Sequence, residues 1–267
     1  MIRELVALCS TLALAAALFV GAPAPTFAAD PPVTYFVAQS GDAAVTPGDG
    51  TGCEDPDFVG GDDEPIQDAM DAATGGDIIH ICAGTYLIEA MLDLKDGEFT
   101  IVGDGAGLTI LDGGYTIQIL TGEYITVVGL TFVRGNATAF SRYGGAIHAT
   151  NVSGDSSLTI IDSEFFDNQT DLYGGAVSAG IVTVTNSRFV GNNSGEWGGA
   201  ILANEVEVDG SEFVNNFSTS AGGAIKTTLA TITKSRFIGN SSNEWGGAIS
   251  STGALTVTEC LFLRNDS

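Results

Sequence analysis

The 267-residue sequence carries 33 acidic against 9 basic side chains, a formal net charge of −24 at pH 7. A surface this acidic repels nucleic acid phosphates and anionic membranes, so the charge balance excludes nucleic acid as a partner. The same charge is compatible with bound divalent cations, with basic partners, or simply with a role in solubility.

Residues 1–29 have the features of a secretory signal peptide. Arg3 supplies a positive start, an apolar run covers residues 5–20, and small residues around Ala28 suit signal peptidase. A membrane anchor is the alternative, but roughly 16 apolar residues are few for a bilayer. No other stretch of the sequence is long and apolar enough to span. We therefore expect a secreted chain, extracellular or at the cell surface, without a transmembrane segment after cleavage.

Residues 30–76 are predicted to form an N-terminal cap with an acidic loop. Residues 66–73 have the spacing of a short amphipathic helix, which would shield the open end of the core and the edge of the first coil. The loop offers three weak candidates for calcium ligands: Asp49, Asp55 and Asp57. They lack the EF-hand spacing, and the glycine-rich calcium repeat does not occur. A solvated loop is the simpler interpretation, and we expect no cofactor.

Three cysteines follow the predicted signal peptide. Export permits a disulfide bond, and Cys53 with Cys82 is the plausible pair because both lie near the N-terminal end of the predicted fold. Cys260 is then expected to be unpaired and buried in the core.

Residues 77–143 are predicted to form irregular coils, and residues 144–267 form regular coils with a 24-residue period. Two motifs define that period. Gly-Gly-Ala-Ile or a close variant begins at Gly144, Gly174, Gly198, Gly222 and Gly246. Phe-x-x-Asn begins at Phe165, Phe189, Phe213, Phe237 and Phe262, and ends at Asn168, Asn192, Asn216, Asn240 and Asn265.

The repeat predicts an all-β right-handed parallel β-helix of about eight coils of roughly 24 residues, with a short N-terminal capping helix. Apolar residues alternate with polar ones within each period, as in Val182-Thr-Val184, and no 3.6-residue period persists. In this fold the phenylalanines would stack as an interior column. The asparagines would form a ladder at a turn, where their amides satisfy buried backbone groups.

The paired motifs resemble the polymorphic outer membrane protein repeats found in passengers of bacterial autotransporter adhesins. The segments at residues 65–70, 83–86 and 99–105 are similar to the first coils of pectin-lyase-like β-helix proteins. The resemblance covers about residues 33 to 267 and implies export, exposure at the outer membrane surface and, often, adhesion. The sequence ends at Ser267 without a cap for its final coil. We therefore expect a longer parent chain or end-to-end association of chains.

No group of residues predicts a catalytic site. A glycoside hydrolase needs converging carboxylates, and the acidic residues are scattered through turn-like contexts. One outward row precedes the glycine pairs and offers rings that could stack on sugars: Tyr143, Tyr173, Trp197 and Trp245. The alternative is that these rings only pack over the turns between coils.

The predicted function is a non-catalytic, adhesin-like or structural protein that presents a repeat surface to a protein or glycan ligand. The alternative is a polysaccharide lyase or glycoside hydrolase on the same scaffold, with its groove in the irregular coils.

Overall fold

The computed structural model describes residues 31–39, 49–138, 142–150 and 154–267. The predicted signal peptide at residues 1–29 lies outside the described residues. The described residues form an all-β parallel solenoid of about nine turns with one short helix, which confirms the predicted fold class. About eight coils were predicted from the sequence, and the structure has about nine turns. Thr34–Ala38, which we assigned to the cap, already forms the first strand of the stack because Tyr35 and Val37 point into the core.

Sheet 1 runs the whole length of the solenoid as a parallel ladder. Its strands, in chain order, are Thr34–Ala38, Ile78–Ile81, Glu98–Gly103, Tyr124–Val128, Ser157–Ile161, Val177–Thr185, Ile201–Asp209, Leu229–Thr233 and Leu255–Thr258. A short strand, Phe58–Val59, pairs with the first of them. Val177–Thr185 and Ile201–Asp209 are long enough that their first residues also belong to sheet 3.

Two further sheets complete most of each coil. Sheet 2 contains Gly84–Leu87, Thr109–Asp112, Thr131–Val133, Glu164–Phe166, Arg188–Val190, Glu212–Val214, Arg236–Ile238 and Leu261–Leu263. Sheet 3 contains Leu92–Asp93, Leu120–Gly122, Ile147–Ala149, the two shared strands, Ile225–Thr227 and Ile249–Ser251. A fourth, narrow sheet follows the asparagine turn, with strands Gln169–Thr170, Asn193–Ser194, Phe217–Ser218 and Ser241–Ser242.

The core is built from columns of identical side chains because successive coils pair in strict register. Phe132, Phe165, Phe189, Phe213, Phe237 and Phe262 stack with ring centroids 4.7 to 5.0 Å apart. That spacing is close to the distance between paired strands, so each ring lies face to face with the next. The Phe-x-x-Asn motif did not identify Phe132 as a member of this column, because Gly135 occupies the position where the later coils have asparagine.

The glycine pairs allow coils to approach at a tight turn. Gly174 has a positive φ of 64°, a conformation that side chains with a Cβ rarely adopt. A Cβ on Gly175 would lie 2.0 Å from the carbonyl oxygen of Gly199 on the next coil. Only glycine fits there, so the glycine pairs allow successive coils to pack closely at this turn.

The helix Glu64–Ala72 covers the core at the N-terminal end, two residues earlier than predicted. It buries Pro65, Ile66, Ala69 and Met70, and it contacts the first strands of sheets 1 and 3. No helix among the described residues is long and apolar enough to cross a membrane.

Candidate functional site

The row of aromatic side chains lies along one edge of the solenoid. Isolated bridges connect Tyr143, Tyr173, Trp197, Ala221 and Trp245 in register. The ring centroids of Tyr143 and Tyr173 are 5.1 Å apart, and those of Tyr173 and Trp197 are 5.0 Å apart. Ala221 is buried and interrupts the row, so a gap separates the two tryptophans. Trp197 is 40% exposed and Trp245 is 66% exposed, so both offer ring surface to solvent.

A groove of about 730 Å³ opens beside this row. Tyr143, Trp197 and Trp245 line one side of it. Outward side chains of sheet 3, Leu202 and Lys226 among them, line it as well. Small and hydroxylated residues complete the lining, and they include Thr150, Gly154, Ser156, Ser178, Ala179, Gly180, Asn204, Thr228 and Thr252. The groove crosses several coils, which suits an extended ligand better than a compact one.

The electrostatic character of the groove differs from that of the whole chain. None of the described residues that line it is an aspartate or glutamate, although the chain carries a net charge of −24. Lys226 is half-buried, and its ammonium donates to Ser250 Oγ at 3.1 Å. Burial lowers the pKa of Lys226, because a charged group loses hydration there. In the described part of the chain, no carboxylate lies within ion-pair distance of this ammonium.

His148 also borders the groove, and it is half-buried. Its ring stacks on Tyr143 with centroids 5.1 Å apart and planes 13° apart. Burial lowers the pKa of His148 from 6.5 to about 4. The imidazole is therefore neutral at pH 7, and the groove presents aromatic faces, neutral polar groups and a single lysine.

The cysteines lie at opposite ends of the described solenoid. Cys53 and Cys82 form a disulfide bond with Cα atoms 5.7 Å apart. Cys260 is a free thiol, but it is half-buried and not buried as expected. The reason is its place in the last described coil, where Phe262 is 44% exposed as well.

The acidic loop does not bring its three candidate carboxylates together as a set of metal ligands. Asp57 is buried, and its two oxygens accept the backbone N–H groups of Gly50 and Phe36 at 2.8 and 2.7 Å. Asp55 is exposed and accepts the hydroxyl of Thr51 at 3.2 Å. Among the described residues, the one group of at least three donor side chains within 4.8 Å excludes these aspartates. Asp57 consequently has a structural role in holding the loop against sheet 1.

A column of serines was missed by the sequence reasoning. The hydroxyl oxygens of Ser187, Ser211 and Ser235 each accept the backbone N–H of the equivalent serine one coil earlier, at 3.0 to 3.1 Å. The signal was present, since a serine stands two residues before the phenylalanine in each of these coils. Cys260 takes the same place in the last coil, and its sulfur lies 3.4 Å from the backbone nitrogen of Ser235.

Comparison with known protein families matches one segment of the chain. Residues 234–252 match the Chlamydia polymorphic membrane protein repeat, and this segment contains one Phe-x-x-Asn motif and the glycine pair that follows it. The chain has no significant match among curated proteins. Among solved structures it is similar to a PL6 family alginate lyase, AlyGC, with a TM-score of 0.46 and 12% identity. That likeness covers 88% of this chain and 41% of the lyase, so the chain spans about two fifths of that protein. One segment of the chain, residues 234–252, is thus similar to this repeat, and it lies on a parallel β-solenoid.

Proposed function

We propose that this chain is a surface-associated, adhesin-like protein that binds glycans, without cleaving them, in the groove beside the aromatic row. The polymorphic membrane protein repeat at residues 234–252 supports a location at the cell surface. Export of the chain would follow from the predicted signal peptide at residues 1–29.

The observation that carries the proposal is the pairing of exposed tryptophans with a groove that has no carboxylates. Trp197 and Trp245 offer apolar ring faces, on which the C–H faces of sugars stack, and their indole N–H groups can donate to hydroxyls. The threonine hydroxyls and the Asn204 amide of the same groove can both donate to and accept from sugar hydroxyls. This combination of an apolar surface with a few directed polar groups is typical of ligand sites.

The proposal is non-catalytic because of what lines the groove. Hydrolysis of a glycosidic bond uses two carboxyl groups about 5 to 9.5 Å apart, and the described lining residues include neither aspartate nor glutamate. Lys226 alone could act as a base, but it has no second charged group beside it to neutralise a sugar carboxylate.

A glycan-array screen of the purified protein, with and without calcium, tests the proposal. Bound sugars are then recovered and their masses compared with the input. We expect binding of intact oligosaccharides, with affinity lowered about tenfold by Trp197→Ala or Trp245→Ala because each loses one stacking surface. Phe166→Ala removes a half-buried aromatic ring from sheet 2, away from the groove, and should leave the affinity unchanged.

Three outcomes would contradict the proposal. Shortened or unsaturated sugars would show an enzyme. Absence of binding across the array would remove glycans as ligands. Equal losses in Trp197→Ala and Phe166→Ala would place the effect in overall stability and not in the groove.

A further inference from the structure

Four side chains of different chemistry converge near the N-terminal end of the solenoid, far from the groove in sequence. Cys53, His80, Cys82 and Asp104 each have one potential ligand atom within 4.8 Å of the other three. His80 Nε2 lies 2.7 Å from Asp104 Oδ1, and Cys53 Sγ lies 3.7 Å from Asp104 Oδ2. Cysteine sulfur, imidazole nitrogen and carboxylate oxygen are each zinc ligands, and these four atoms are the number that a tetrahedral site needs.

Paired strands of sheet 1 hold three of the four residues in place. His80 lies on Ile78–Ile81 and pairs with Val102 of the next coil. Cys82 directly follows the same strand, where its backbone N–H donates to the carbonyl oxygen of Val37 at 2.8 Å. Asp104 follows the adjacent strand, and its Oδ2 accepts the N–H of Ala83 at 2.7 Å. The positions of these ligands are therefore set by the solenoid itself and not by the disulfide.

Cys53 comes from the acidic loop and is joined to this frame by the disulfide bond. Asp104 is exposed and the side chain of His80 is partly so, which leaves the cluster open to solvent and to ions. The ring of Phe36 lies beside the imidazole of His80, with ring centroids 5.2 Å apart.

We propose that these four residues form a redox-gated zinc site, closed while the disulfide is intact and able to bind one Zn²⁺ when it is reduced. A dithiol reductant donates two electrons and two protons to the Cys53–Cys82 bond and is itself oxidised to a disulfide. Zinc then binds both sulfurs as thiolates and displaces the two thiol protons, while an imidazole nitrogen of His80 and a carboxylate oxygen of Asp104 complete the tetrahedron.

The movements that this requires are small. With Zn–S bonds of about 2.3 Å, tetrahedral geometry places two thiolate sulfurs about 3.8 Å apart, so the sulfurs must separate from bonding distance. Zn–N and Zn–O bonds of about 2.1 Å place the nitrogen and oxygen about 3.4 Å apart. His80 and Asp104 therefore separate by well under 1 Å from their present contact of 2.7 Å. Rotation of side chains can supply both changes without moving a strand.

Zinc content tests the site directly. The full-length protein is reduced with excess dithiothreitol under argon, desalted, incubated with ZnSO₄, desalted again and analysed by mass spectrometry for zinc per chain. We expect one zinc per chain in the reduced protein and none in the oxidised protein. Co²⁺ in place of Zn²⁺ should give a thiolate-to-cobalt charge-transfer band only after reduction.

Variants distinguish the proposed site from a simple dithiol. His80→Ala and Asp104→Asn should each weaken zinc affinity at least tenfold, and Cys82→Ser should abolish the cobalt band. Cys260→Ser removes the remote thiol and Asp55→Asn a nearby carboxylate outside the cluster, so both should bind like the unmodified protein.

The proposal is overturned if the reduced protein takes up no zinc, or if His80→Ala and Asp104→Asn bind it as tightly as the unmodified protein. Equal uptake by the oxidised protein would also overturn it. Circular dichroism detects unfolding of the reduced protein. If the reduced protein loses its β-sheet signal and does not regain it when zinc is added, that result also overturns the proposal.

Discussion

The side-chain oxygen of Asn192 accepts two hydrogen bonds from Asn168 on the preceding coil, one from the backbone N–H and one from the side-chain amide, both at 3.0 Å. The amide nitrogen of Asn192 in turn donates to the carbonyl oxygen of Phe165 at 3.0 Å. The pattern repeats from coil to coil, so each asparagine amide satisfies buried backbone groups that a turn would otherwise leave without partners.

Asn216→Ala should destabilise the solenoid strongly. The change leaves the buried backbone N–H of Asn192 and the carbonyl oxygen of Phe189 without the partners that Asn216 supplies at 3.0 Å. Each such group costs roughly 1–3 kcal/mol. Urea unfolding should show the loss, while Asn193→Ala, an exposed asparagine one coil earlier, should change the free energy of unfolding by less than about 0.5 kcal/mol. Similar losses in the two variants would contradict a special role for the ladder.

The period of the sequence was sufficient to predict the fold, because a register repeated every 24 residues places identical residues one above the other. Phe189 and Phe213 stack at 4.9 Å for that reason. The first coils have no such register, so their strands could not be aligned with those of the later coils from the sequence. The contact of His80 with Asp104 and the ninth coil were therefore not predicted. The positions of the aromatic residues in one row could be predicted from the repeat. The groove beside them depends on small residues such as Gly180, and no sequence motif marks such residues as part of a groove.

Replacing a phenylalanine of the repeated motif by alanine should lower the free energy of unfolding by an amount that depends on how buried that phenylalanine is. Phe213 is fully buried between two rings, so Phe213→Ala should lower the free energy of unfolding by about 3–5 kcal/mol. Phe262 has one stacked neighbour and is 44% exposed, so Phe262→Ala should cost less than half as much. Urea denaturation followed by circular dichroism measures both. Equal costs would contradict burial as the source of the stabilisation.

The stability of the solenoid should depend on His148 under mildly acidic conditions. Burial lowers the pKa of His148 from 6.5 to about 4, so between these values the unfolded chain binds a proton that the folded chain does not. Stability is therefore lost as the pH falls through this window, and the loss levels off below about pH 4. The upper limit is about 3 kcal/mol, reduced where water reaches the ring.

His148→Gln removes the titrating group and should flatten this part of the pH dependence. Urea unfolding at several pH values between 4 and 7 measures the difference between the variant and the unmodified protein, which cancels the contribution of the carboxylates. Parallel curves for the two proteins across this range would show that the imidazole is not desolvated.

Lys226 should determine which sugars the proposed groove prefers. Its half-buried ammonium is the only cation among the described lining residues, and it contacts a serine hydroxyl and no carboxylate. An acidic sugar would bring the missing counter-charge, and a hydrogen bond between charged groups contributes about 1.5–3 kcal/mol. Lys226→Met keeps the length of the side chain and removes the charge. It should weaken binding of uronate-containing oligosaccharides at least tenfold and leave neutral ones unchanged.

Isothermal titration calorimetry with matched neutral and uronate oligosaccharides measures this preference, with Lys234→Met as the control. Lys234 is an exposed lysine outside the groove, 3.7 Å from Asp209, and its removal changes the net charge by the same amount. Because the chain is strongly acidic, loss of any lysine weakens attraction of anions at long range, and added salt suppresses that effect. A loss confined to Lys226→Met and persisting in salt would place the uronate in the groove. Equal losses in both variants would attribute the preference to net charge alone.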